Sequence, residues 1–218
     1  MGNRAIITTR RNYETNGAGI YLHWNGGRDS VEAFLAYARF KGVRDSEYGL
    51  ARLLQYIGNW FGGNMSLGLV PAKCGAGDDN GVYIIDDNMQ IVGREEIGDG
   101  FTEQAEYNIE EMLISIDEAQ PLREQIGQPL IHSMLMMEKY PLDYSEIVEL
   151  LQPGTEIYMQ SLRGTWERFK VIGYGQPGQI VNGHDAEGIP YVDRYDGTGD
   201  YSTNANNYIW ETTTVYFA

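Results

Sequence analysis

Residues Gly19-Ile20-Tyr21-Leu22-His23-Trp24-Asn25-Gly26-Gly27-Arg28-Asp29-Ser30 run directly into Val31-Glu32-Ala33-Phe34-Leu35-Ala36-Tyr37-Ala38. A β-prone apolar run, two glycines and then apolar residues at helical spacing specify a strand, a tight turn and a helix. Asp29 is placed to cap that helix, and Glu32 three residues later completes a capping-box spacing. Val31, Phe34, Leu35 and Ala38 give it one apolar face, and Gly42 stops it. Upstream, Ala5 to Thr9 reads as a strand that pairs with Gly19 to Trp24 as a hairpin, with Asn16-Gly17 as turn chemistry.

The rest of the first part follows the same logic. A second helix is expected from about Glu47 to Trp60, with Ala51, Leu54 and Ile57 in phase, followed by a strand at Met65 to Val70. Val82 to Ile85 and Met89 to Val92 flank Asp86-Asp87-Asn88 as a hairpin. From Thr102 to Glu118, Ala105, Ile109, Met112, Leu113 and Ile116 fall at helical spacing, which turns Glu103, Glu106, Glu110 and Glu111 outward. Leu130 to Met136 reads as a buried helical connector.

Composition shifts at Tyr140-Pro141. A short capped helix at Ser145 to Leu151 leads to a Pro153-Gly154 turn. Short β-prone runs then follow: Thr155 to Met159, Trp166 to Tyr174, Gln179 to Val181, Ile189 to Tyr195, Asn207 to Trp210 and Thr213 to Phe217. Their number and spacing predict a small SH3-like antiparallel β-barrel. The expected fold class is α+β, with a mixed α/β domain over 1–140 and the barrel over 141–218.

Charge narrows the function. The chain carries a net charge of -15, unevenly spread. Met1 to Lys73 holds 9 basic and 5 acidic side chains, a balance of +4; Cys74 to Leu150 holds 3 and 18, or -15; the remainder holds 4 and 8, or -4. An acidic middle segment repels nucleic-acid phosphates and attracts a basic protein surface. The candidate contacts are Glu103, Glu106, Glu110, Glu111, Asp117 and Glu118. The eight aromatic residues from Trp166 to Trp210 (Trp166, Phe169, Tyr174, Tyr191, Tyr195, Tyr201, Tyr208 and Trp210) fit a core together with a stacking or peptide-binding surface, but too few Lys and Arg accompany them for phosphate neutralisation. A solvated face that only aids solubility is the plain alternative.

Other chemistry is thinly represented. His23, His132 and His184 lack metal-ligand spacing and Cys74 is the single cysteine, so no zinc site and no internal disulfide is expected. His23 fits a hydrogen-bonded structural histidine better than a general base, and Cys74 a passive thiol despite Lys73 beside it. Asp78-Asp79-Asn80 and Asp86-Asp87-Asn88 offer oxygen ligands without a full calcium-loop spacing. No apolar run approaches the ~20 residues of a membrane helix. No secretory h-region is present, and the expected location is the cytoplasm.

Asn25-Gly26-Gly27-Arg28-Asp29-Ser30 resembles the pyrophosphate loop of the adenylating ATP pyrophosphatases, Ser-Gly-Gly-x-Asp-Ser, with Asn25 in place of the leading serine. The resemblance implies a phosphate site built from Asn25, Gly26, Gly27, Arg28 and Ser30, at glycines and a helix start that suit an anion. The same residues also form a plain Gly-Gly turn. Over longer stretches, Arg4 to Arg10, Ile20 to Ser30, Asn80 to Ile85 and Gly188 to Asp193 resemble uncharacterised accessory proteins of Firmicutes phages and integrative elements. That resemblance implies a mobile-element protein acting against host defence, for example an anti-CRISPR or anti-restriction factor.

Joined to the charge pattern, it gives an expectation of a non-enzymatic DNA mimic, without cofactor, that binds a basic host protein such as a nuclease. The alternative is a nucleotide-binding enzyme, or a protein that sequesters a nucleotide signal, using the Asn25 to Ser30 loop.

Overall fold

The computed structural model describes residues 2–43, 46–63, 66–75, 79–95, 108–160, 166–181, 184–195, 201–209 and 213–218. Two compact units emerge, Met1–Gly127 and Gln128–Ala218.

In the first unit the elements run β1 (Ala5–Thr9), α1 (Arg10–Thr15), β2 (Ala18–Leu22), α2 (Arg28–Phe40), α3 (Ser46–Phe61), β3 (Leu67–Pro71), β4 (Val82–Ile85), β5 (Ile91–Glu95) and α4 (Ile109–Glu118), then a 3-10 turn at Leu122–Glu124. The five strands form one sheet in the order β3-β2-β1-β4-β5. β1 pairs antiparallel with β2 and parallel with β4. Every residue of these two inner strands is buried, as a continuous apolar run requires when both faces are covered. Thr8 fits there because its Oγ1 donates to the Ala18 carbonyl at 2.8 Å.

The expected β1–β2 hairpin is present, with a short helix inserted in its connection. Thr9 caps α1 by accepting from Asn12 N, and Asn16 ends it at a φ of 52°. Nothing in α1 is buried, so no apolar period announced it.

α2 is buried well beyond its predicted face. Ala33, Ala36, Tyr37 and Phe40 are enclosed along with Val31, Phe34, Leu35 and Ala38. Its small alanines admit close neighbours, and α3 and α4 both pack on it. Edge-to-face ring pairs fix the contact with α3: Phe34 on Trp60 and Tyr37 on Tyr56, each with centroids 5.3 Å apart. These rings also set the rotation of α3. Leu50, Leu53, Tyr56 and Ile57 face inward, whereas Ala51, expected in phase with the core, is exposed.

In the second unit the elements are α5 (Gln128–Lys139), α6 (Tyr144–Leu150), β6 (Glu156–Gln160), β7 (Trp166–Tyr174), β8 (Ile180–Val181), β9 (His184–Asp185), β10 (Pro190–Tyr195), β11 (Tyr201–Tyr208) and β12 (Val215–Phe217). The unit begins before the boundary expected at Tyr140 because α5 packs against β12. α6 starts in a full capping box between Asp143 and Glu146. Leu151, Ile157, Met159, Phe169, Val171, Val192, Ile209 and Val215 form the core.

The closed barrel expected here needs correction. Among the described residues, five strands form an open sheet in the order β11-β10-β7-β6-β12, and β8 pairs with β9 apart from it. β12 is three residues long and pairs with β6; α5, not β11, lies against it. The architecture is therefore α+β with two antiparallel-rich sheets.

Candidate functional site

α4 carries the acidic residues that charge singled out. Asn108 caps it by accepting from Glu111 N. Leu113, Ile116, Asp117 and Gln120 are buried on one side, while Glu111 and Glu118 are exposed on the other. Seven residues apart is two turns, so these two carboxylates stand on nearly the same line about 10 Å apart along the axis. Among the described residues neither carboxylate has an ion-pair partner. Glu110 is half-buried beside them. Glu103 and Glu106 lie outside the described residues.

Asp117 belongs elsewhere, which corrects its assignment to the outward set. It is 4% exposed. Its Oδ1 accepts from Tyr37 Oη at 2.8 Å and from Ile126 N at 2.7 Å, and its Oδ2 accepts from Gly127 N at 2.8 Å. A buried carboxylate is tolerated only with such partners. Burial first, then the neighbouring Asp117, pushes the Tyr37 phenol far above its usual range. Close by, Lys41 Nζ donates to the Glu124 carbonyl. Burial holds that lysine below its usual range, against the opposing pull of Glu124 and Asp117. A charged residue in an acidic helix reads as solvated, which hides this polar cluster in the sequence. Its position in phase with Leu113, Ile116 and Gln120 was the available signal.

The Gly-Gly turn forms where expected, but its parts are used internally. Asn25 adopts a left-handed φ of 56°. Gly26 is buried, and its N–H donates to the Asn3 carbonyl at 2.8 Å. Gly27, not Asp29, is the N-cap of α2, and no side chain caps it. Asp29 stands in the first turn with its Oδ1 2.6 Å from where a Gly27 Cβ would be. A carboxylate there already complements the positive helix end. Arg28 is exposed and paired with Glu32 at 2.7 Å, and Ser30 is buried.

The remaining candidates have local roles. His23 Nδ1 and Tyr21 Oη share a hydrogen bond of 2.9 Å, and the Trp24 ring meets His23 edge-on. Asp86 Oδ1 accepts from Asn88 N and Gln90 N in the hairpin turn, the usual use of an aspartate there. Asp79 binds Arg4, and Asp78 lies outside the described residues. Among the described residues no group of three or more His, Cys, Asp or Glu is placed to hold a metal ion. Cys74 is exposed.

In the second unit, Phe169 is buried in the core and Trp166 meets Tyr216 edge-on. Tyr174 Oη donates to the Leu151 carbonyl at 3.0 Å. The side chains of Tyr195, Tyr201, Tyr208 and Trp210 lie outside the described residues. The acids of β6 and β7 are matched across strands: Glu156 pairs with Arg168 and Lys170, and Glu167 with Arg194.

No helix among the described residues is long and apolar enough to cross a membrane. No family model, curated protein or solved structure matches the chain.

Proposed function

We propose that the protein is a non-enzymatic accessory protein of a phage or integrative element that binds a basic, nucleic-acid-binding host protein through its acidic surface. The observation that supports this reading is the outer line of α4, where Glu111 and Glu118 are exposed without ion-pair partners among the described residues. Two carboxylates in line on a rigid helix offer Lys and Arg of a partner fixed positions that imitate phosphate charge. A host nuclease, whether RNA-guided or a restriction enzyme, is the partner class, and the cytoplasm the place of action.

The alternative, a nucleotide site at Asn25 to Ser30, has less behind it. Gly26 has its N–H committed to Asn3, and Asp29 holds a negative charge where a phosphate would sit. The second unit, in this reading, is SH3-like in strand succession: β6, β7, β10 and β11 form a four-stranded meander, and the last strand, β12, returns to pair with β6.

Binding of purified nucleases to the immobilised protein in low salt, compared with the E111K/E118K double variant, tests the proposal. Association that is lost in the double variant supports it. Binding that survives charge reversal, or no binding by any nuclease at low ionic strength, removes it. Saturable heat on titration with ATP and Mg²⁺ favours the alternative.

A further inference from the structure

The segment from Ala119 to Gly127 closes the first unit, and its backbone hydrogen bonds among the described residues are local turns: Ala119 N to Ser115, Gln120 N to Asp117 and Glu124 N to Pro121. Its ties to the helices run through side chains. Asp117 takes the amides of Ile126 and Gly127, Lys41 reaches the Glu124 carbonyl, and Gln120 bonds Tyr56 O, Ile116 O and Asn59 Nδ2. Gln125 Nε2 closes back on the carbonyls of Glu118 and Gln120. Apolar burial contributes little, since Pro121 to Glu124 are exposed and Leu122 is 83% exposed. A segment held by a few polar contacts and almost no packing opens more easily than the core behind it.

We propose that Asp117 is a latch on this connector, so that loss of its carboxylate frees residues 119–127 while the sheet and α2 stay folded. Three features fit a latch better than ordinary packing. The carboxylate is buried, so each donor lost to it goes unreplaced by water. Its two connector donors are the last amides of the unit, Ile126 and Gly127, the latter at a φ of 91° that favours glycine. Its third donor, Tyr37, lies on α2 and so ties the carboxylate to the helix layer independently of the connector amides.

Hydrogen exchange on the full chain, read by mass spectrometry over 119–127, β1, β4 and α2, tests the latch. In D117N, exchange over 119–127 is expected to rise by about tenfold or more while β1, β4 and α2 keep wild-type rates. Unchanged exchange over 119–127, or an equal rise in all four regions, overturns the proposal. Should D117N fail to fold, Y37F decides, because it removes one donor and leaves both connector amides in place. A rise of a few fold confined to 119–127 supports the latch, and an unchanged or uniform pattern overturns it.

Discussion

The amide of Gly26 donates to the carbonyl of Asn3 at 2.8 Å, and a Cβ at Gly26 would stand 2.6 Å from that same oxygen and 2.7 Å from Ala5 N. The turn between β2 and α2 is therefore pinned against the entry to β1. Asn3 N in turn donates to the His23 carbonyl at 3.1 Å, so the chain start and the turn bind each other reciprocally. A glycine that was legible as a phosphate-approach residue serves here as a point of close backbone packing.

Gly26→Ala is accordingly expected to cost about 1–3 kcal/mol, because the new methyl group meets backbone that cannot rotate away. Gly27→Ala is expected to cost under about 1 kcal/mol, since its nearest neighbour is the mobile carboxylate of Asp29 and its own φ is negative. Urea unfolding midpoints of the two variants, measured side by side, check the ranking. Equal losses would show that the turn is not held in the way described.

Alkaline stability should report on Tyr37. Its folded-state affinity for the proton is raised, by burial and then by Asp117, so its contribution is full below the unfolded tyrosine range and is lost as pH climbs through it. Above about pH 10 the unfolded chain sheds this proton and the folded chain does not, giving a slope of up to about 1.4 kcal/mol per pH unit. Tyr56, raised chiefly by burial, adds in the same direction, while Lys41, lowered by burial, opposes it. Urea midpoints between pH 8 and pH 11 should fall less in Tyr37→Phe than in the wild type.

Legibility in the sequence followed the strength of the hydrophobic period. The strand expected at Trp166 to Tyr174 is β7 end to end, because buried Phe169 and Val171 alternate with the outward Arg168, Lys170 and Ile172 and packing agrees with pattern. The helix after the Gly-Gly turn was equally clear, but its cap was not. Asp29 matched a spacing rule, yet the turn closes one residue pair earlier, at Gly27. α3 lies where its pattern places it but is rotated, because ring contacts of Tyr56 and Trp60 outweigh the count of aliphatic positions. Asp117 reads as surface because its charge conceals that it sits in phase with Leu113 and Ile116; its donors come from Tyr37, eighty residues away in sequence, and from a connector that carries no motif.

The charge-mimic reading makes a prediction about salt that buried apolar docking would not. Contacts at exposed Glu111 and Glu118 are screened once the Debye length shortens to about 8 Å or less. Raising salt from about 50 to 300 mM should weaken a nuclease complex at least tenfold, mainly by slowing association. Surface plasmon resonance across that range is the measurement. In E111K/E118K no complex should form anywhere in that range; a wild-type complex indifferent to salt would point to a different surface.

The acid limb of stability should depend on Asp79, which binds Arg4 three times: through the backbone N at 2.9 Å, Nε at 3.0 Å and Nη2 at 3.3 Å. The Arg4 guanidinium first, then the Arg4 amide, hold this carboxyl below the usual carboxylate range. With the folded value depressed, the stabilisation is present above the unfolded value of about 4 and is lost as pH falls through the folded one. Both side chains keep about a third of their surface in water, at 34% and 32%, so the pair is worth about 1 kcal/mol after screening. Asp79→Asn should lose that amount at pH 7 and converge on the wild type as pH falls through the depressed range in which the wild-type carboxyl takes up its own proton. The bond spans the chain start and the residue just ahead of β4, so it steadies the parallel register of β1 and β4. Urea midpoints of the two proteins at pH 7, 4 and 2 should therefore close step by step; a constant gap would place the effect of Asp79 in shape and not in charge.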